Sequence, residues 1–198
     1  MTAGQLAAIL FDLGDVIMCE ETEEKIDGVT QRAELVPGMA ALLRDLHGAG
    51  KRLGLVADTR EGTYLNVLRQ HGLFDLFAIF VISDLLGCEK PDRRMFAHAL
   101  AGLGLGPGDR PRVVMVGNNL SRDIRGANAL GLVSIWFAWN ERYPLEPAGP
   151  DERPTYQAGD AEELRALLAA LDRGDRPAAF HHPRPFAWRL APGGTEDR

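Results

Sequence analysis

The stretch Ala8-Ile9-Leu10-Phe11-Asp12-Leu13-Gly14-Asp15-Val16-Ile17 decides the fold, because a short apolar run ends on a carboxylate and a glycine comes two positions later. An apolar run of this length, bounded by turn residues, has the pattern of a strand buried on both faces of a parallel sheet. Asp12 then stands at the carboxyl end of that strand, where open α/β sheets place their ligands, and becomes the first candidate nucleophile. Taken alone, the string could equally be a polar turn after a strand. The rest of the chain decides between the two.

Four further apolar runs, at residues 53–57, 78–83, 113–117 and 133–137, have the same character. Between the runs, residues 38–48, 61–71, 92–103 and 120–130 carry apolar positions at helical spacing, as in Met39, Leu42, Leu43 and Leu46. Strands that alternate with helices predict a three-layer α/β fold, a parallel Rossmann-like sheet with helices on both faces. A closing helix is expected over 160–171, opened by Gly159-Asp160, with Leu164, Leu167, Leu168 and Leu171 on one face. From Asp172 to Arg198 the periodicity is lost among Arg, Pro, Gly and His. The expected organisation is therefore a domain over 1–171 and a tail over 172–198, either disordered or docked through Phe180, Phe186 and Trp188. The glycine-rich run Gly102 to Gly108 follows a helix rather than leaving a strand, so it is read as a connector, not a nucleotide loop.

Composition removes several functional classes. With 198 residues, 45% of them hydrophobic and 25% charged, the chain has enough length and apolar content for one α/β domain with a full core. No apolar run approaches the ~20 residues of a membrane span, and the first residues lack a basic segment leading into an apolar one, so a cytoplasmic protein is expected. Cys19 and Cys88 show no Cys-x-x-Cys spacing and are expected to be free thiols. A net charge of -6 argues against a general nucleic-acid surface.

The chemistry-bearing residues gather after the expected strands. Asp58 with Glu61 three positions later fits a capping box for the following helix, while the Thr59 hydroxyl beside that helix start suits a phosphate oxygen. Lys90, held before Pro91, stands just ahead of a helix, where the dipole does not favour a cation; its placement suggests a local anion. The fourth strand delivers Val116-Gly117-Asn118-Asn119-Leu120-Ser121-Arg122-Asp123, a polar loop that opens a helix.

In order and spacing, these segments resemble the haloacid dehalogenase superfamily from about residue 6 to 171, with Leu35-Val36-Pro37-Gly38, Phe96, Gly126, Ala127 and Gly131 completing the pattern. The resemblance implies a phosphoaspartyl mechanism. Asp12 would attack phosphorus, Lys90 would neutralise charge, and magnesium would be held by Asp12, the Gly14 carbonyl, Asn118 and Asp123. Thr59, Asp58 and Asn119 would line the phosphate side. It also implies a central first strand flanked by the second and the fourth, since Asp12, Thr59 and Asn118 must converge.

Three positions depart from the family pattern. Gly14 stands where the family's phosphatases usually carry a second Asp as acid and base, Ala57 where they carry a phosphate-binding Ser or Thr, and Asn118 where they carry an acidic metal ligand. The two intervals where the family inserts a cap domain are short, about 20 residues from Met18 to Val36 and about 30 from Ala57 to Lys90. An open, capless site is expected, suited to large phosphorylated substrates or to cover by another copy in a homo-oligomer or by the chain's own tail. Three functions compete: a magnesium-dependent phosphatase; a binding or regulatory module that lost turnover; and a metal-free dehalogenase-type hydrolase, which ranks last because a cap normally supplies the halide pocket.

Overall fold

The computed structural model describes residues 5–179. Strand β1 (Ala8–Phe11) is followed by an antiparallel hairpin, β2 (Glu24–Ile26) and β3 (Val29–Arg32), and then by helix α1 (Met39–Gly48). The chain continues through β4 (Leu53–Ala57), α2 (Glu61–Gln70), β5 (Phe77–Ile82), the short α3 (Ser83–Leu86) and α4 (Arg93–Gly102). It closes with β6 (Val113–Gly117), α5 (Arg125–Leu130), β7 (Val133–Phe137), β8 (Tyr156–Ala158) and α6 (Ala161–Arg173). The main sheet has the order β5-β4-β1-β6-β7-β8, and every neighbouring pair in it is parallel. β1 is thus flanked by β4 and β6, as the convergence of the site residues requires.

Alternation along the buried strands divides the core into two layers. Ile9 and Phe11 point into the layer beneath α1, α2 and α6, where they meet Leu42, Leu43, Val67, Leu68, Leu164 and Leu168. Ala8 and Leu10 face the opposite layer, built from Met95, Phe96, Ala99 and Leu100 of α4 with Ala127 and Leu130 of α5. Because both faces are covered, the strands are continuously apolar, which is why they are visible in the sequence.

Several boundaries differ from expectation. A sixth strand, β8, lengthens the sheet beyond β7; its three residues are too few to show a pattern. The expected helix over 120–130 is split into a π-type turn at Leu120–Ile124 and the shorter α5. Asn119 explains the turn: its side-chain oxygen accepts from the Ser121 and Arg122 amides, while Asp123 is drawn inward. α6 starts as expected, with Asp160 accepting from Glu162 and Glu163, but it runs to Arg173, past the expected domain limit at 171. Asp172 holds that last turn, bonding the Leu6 amide at 3.1 Å and Lys51 at 2.6 Å. The Gly102–Gly108 run leads from α4 into the turn Pro107–Arg112 before the amino end of β6, as a connector should. The expected docking residues Phe180, Phe186 and Trp188 lie outside the described residues. Cys19 and Cys88 are both free thiols, and no helix among the described residues is long and apolar enough to cross a membrane.

The interval from Met18 to Val36 holds a 3-10 turn at Glu20–Thr22 and the hairpin, whose β3 packs on α2. Thr63 of α2 fixes this contact by accepting the Thr30 amide at 3.0 Å, and Glu23 accepts the Thr30 hydroxyl.

Candidate active site

The carboxyl ends of β1, β4 and β6 open on a cavity of about 240 Å³, lined by Asp12, Gly14, Asp58, Thr59, Lys90, Asn119 and Asp123. The Asp12 amide donates to Val116 O at 3.0 Å, so the nucleophile candidate is still tied to the sheet at its last ladder position. Lys90 reaches this point from the segment before α4. Its Nζ donates to Asp12 Oδ1 at 2.6 Å and to Asp123 Oδ1 at 2.7 Å. Burial alone would lower the lysine, but the carboxylates of Asp12, Asp123 and Asp58 outweigh it and hold the ammonium above its ordinary range. Two of its three N–H donors are committed, which leaves one for an incoming anion.

Asp123 is completely buried. Oδ1 takes Lys90 at 2.7 Å and Oδ2 takes the Asn119 amide at 2.9 Å, so each oxygen has a partner. Burial raises its carboxyl, and Lys90 opposes that rise. Gly117 makes this close approach possible, since a Cβ there would overlap the Asp123 side chain. Asp123 is thus charge-paired with Lys90 at the cavity wall. Asn118 contrasts with it. Both polar atoms of its buried side chain lack a hydrogen bond, although its backbone carbonyl accepts Trp136 Nε1 at 3.0 Å.

Among the described residues, no group of three or more His, Cys, Asp and Glu side chains could hold a metal. Oxygen donors remain on the cavity wall, however, in the Asp12 carboxylate and the Gly14 backbone, while Asn118, whose buried amide has no hydrogen bond, is not among the residues that line the cavity. Such a set fits a magnesium ion that keeps several of its waters, because this ion needs only one or two carboxylates from a protein.

Other expectations need correction. Asp58 does not cap α2: the N-cap residue is Arg60, and the Glu61 amide donates instead to Asp84 Oδ2 at 3.3 Å. Asp58 turns into the site, where Oδ1 accepts the Lys90 amide at 2.9 Å and Oδ2 faces Arg122 at 3.4 Å. Burial raises its carboxyl, with Lys90 pulling the other way. A carboxylate engaged in this way positions Lys90 and Arg122 at the cavity wall. Asn119 likewise spends its side-chain oxygen on the turn at Leu120, leaving only its amide group for the cavity. Thr59 is at the cavity wall as expected, its carbonyl accepting from Asp84.

Asp15, next to Gly14, turns away from the cavity. Its backbone adopts a left-handed φ of 48°, and its fully buried carboxylate pairs with Arg142 and accepts the Glu20 amide at 3.0 Å. Its carbonyl takes Trp139 Nε1 at 2.6 Å, which fastens the segment after β7 to the loop after β1. Five polar cavity residues went unmarked in the sequence: Glu20, Glu23, Lys25, Arg122 and Tyr143. Only Arg122 had a local signal, its position in the polar loop just before Asp123.

The haloacid dehalogenase-like hydrolase family matches residues 6–131. Over 146 residues the chain is 32% identical to the pyrimidine 5'-nucleotidase YjjG of Escherichia coli (strain K12), covering 74% of this chain and 62% of that protein. It is 31% identical over 135 residues to a glyceraldehyde 3-phosphate phosphatase of Methanopyrus kandleri, covering 68% and 57%. The chain thus spans only part of the length of these relatives. A crystal structure of a HAD phosphatase from Thermococcus onnurineus shares the fold with a TM-score of 0.66 at 22% identity, covering 85% of this chain and 99% of that one. The strand order that converges on Asp12 and Lys90, together with the match over most of the domain, places this chain in the family of haloacid dehalogenase-like hydrolases.

Proposed function

We propose that the chain hydrolyses phosphomonoesters through an aspartyl-phosphate intermediate on Asp12. The observation that carries this reading is the Asp12–Lys90–Asp123 arrangement at the mouth of β1, within a polar cavity that also holds Arg122. Lys90 fixes one Asp12 oxygen and leaves the other to attack phosphorus, as positioned nucleophiles require. Its third N–H and the Arg122 guanidinium supply positive charge where the transferring phosphoryl group gathers negative charge. Asp123 and Asp58 keep Lys90 charged and in place. Magnesium, when held by Asp12 and the Gly14 carbonyl, would add further charge neutralisation at the phosphoryl oxygens.

The names of these sequence relatives, a 5'-nucleotidase and a phosphatase, support the reaction class. The short hairpin beside the cavity supports access by large phosphorylated substrates. Hydrolysis of an aryl phosphate, followed with and without magnesium in the wild type and in Asp12→Asn, tests the proposal. Turnover that survives in Asp12→Asn would place the chemistry elsewhere.

A further inference from the structure

Gly14 removes the carboxylate that the family's phosphatases use as acid and base, yet the space it leaves is filled. A Cβ built on Gly14 would overlap Glu20 Oε1 and lie 2.9 Å from the Glu20 carboxyl carbon. Gly14 is not among the residues with positive φ, so its backbone does not demand glycine. What glycine supplies is room, and the group that occupies the room is a carboxylate.

Glu20 is held there by the turn that follows Gly14. The left-handed conformation of Asp15 sends its own carboxylate inward, where it accepts the Glu20 amide and pairs with Arg142. Arg142 also reaches Glu20 Oε2 at 3.5 Å. Oε1, the oxygen over Gly14, has no hydrogen bond among the described residues, and Glu20 lines the same cavity as Asp12 and Lys90. The other carboxylates of the cavity are engaged: Glu23 by Thr30 and Lys25, Asp58 by Lys90 and Arg122, and Asp123 by Lys90 and Asn119.

We propose that Glu20, supplied from the turn after β1, is the catalytic acid and base of this site in place of a residue at position 14. The proposal rests on the phosphatase reading above. As Asp12 attacks phosphorus and the bond from phosphorus to the leaving oxygen breaks, the Glu20 carboxyl gives its proton to that oxygen. In the second half, water attacks the phosphorus of aspartyl phosphate, Glu20 takes the proton from the water, and the bond from phosphorus to Asp12 breaks to release phosphate.

The test compares the wild type, Glu20→Gln, Glu20→Gly and the double variant Gly14→Asp with Glu20→Gly on phenyl phosphate and p-nitrophenyl phosphate. Acid-quenched phosphoenzyme is measured beside steady-state turnover. In Glu20→Gln, kcat is expected to fall about 10²- to 10⁴-fold, the usual contribution of a positioned acid and base. Phosphoenzyme should accumulate because its hydrolysis has lost the base. Its formation should slow more from phenyl phosphate than from p-nitrophenyl phosphate, whose leaving group needs no proton. The double variant should regain turnover relative to Glu20→Gly, because the carboxylate returns from position 14. Wild-type kcat in Glu20→Gln without accumulated phosphoenzyme, or a loss confined to KM, overturns the role of Glu20 and leaves the phosphatase reading standing. If the wild type itself forms no phosphoenzyme and releases no phosphate, the phosphatase reading falls and takes this role with it.

Discussion

Replacing Lys90 by methionine keeps most of the apolar stem of the side chain and removes the ammonium between Asp12 and Asp123. The Lys90 and Asp123 side chains are 1% and 0% exposed, and Asp12 is 15% exposed. At 2.6 and 2.7 Å, each contact has a gross attraction of about 6 kcal/mol at an effective dielectric constant near 20. Desolvation of all three groups offsets most of that, so the net effect is set by what remains after the change. Asp123 would stay buried with only the Asn119 amide as partner, and removing one member of a buried pair costs about 3–5 kcal/mol.

The loss in Lys90→Met should also depend on pH with a definite sign. Burial already raises the Asp123 carboxyl above its unfolded value, and removing the ammonium that opposes this raises it further. A raised folded value adds stability below the unfolded value and loses it as pH climbs, by up to about 1.4 kcal/mol per pH unit for one proton. Lys90→Met should therefore be closer to wild type at pH 5 than at pH 8. Urea unfolding of the wild type, Lys90→Met, Asp123→Asn and the double variant at both pH values measures this. The double variant should be less damaged than the two single losses added together, because it leaves no lone buried charge. A loss below about 1 kcal/mol in Lys90→Met, equal at both pH values, would refute the view that Lys90 neutralises a buried carboxylate.

Three other outcomes are expected. Asp12→Asn should abolish aryl phosphate hydrolysis in a protein that still folds cooperatively, since the amide is nearly isosteric but a poor nucleophile and Lys90 keeps Asp123 as a partner; activity and urea unfolding of one preparation check both halves. Asn118→Asp should tighten magnesium in a calorimetric titration, because a hard cation gains from a charged oxygen at a place where the amide now has no hydrogen bond; equal affinities would mean that residue 118 does not face the ion. Arg142→Met should lower stability by about 1–3 kcal/mol by leaving one oxygen of buried Asp15 without a partner, and thermal melting would record it.

Much of the architecture was legible because it depends on local pattern. A strand buried on both faces must be apolar throughout, so β1, β4, β5, β6 and β7 were visible as runs, and the glycine-rich stretch after α4 could be separated from a nucleotide loop by its position alone. The hairpin and β8 escaped because three- and four-residue strands carry no period. Asp12 and Lys90 were found because strand ends in a parallel sheet converge, and this follows from the order of the elements.

The sequence by itself therefore determined five strands of the sheet, the place of Asp12 at the end of the first and Lys90 as a cation of the site. Tertiary structure alone decided how the remaining carboxylates are used. Asp58 looked like a helix cap and instead holds the Lys90 amide across 32 residues. Asp15, beside Gly14 in the chain, turns inward to an arginine 127 residues away. Glu20 carried no signal at all and came to fill the space over Gly14. These roles depend on which long-range partner reaches each carboxylate, and pairing at such separations is set by the packing of whole elements rather than by any spacing along the chain.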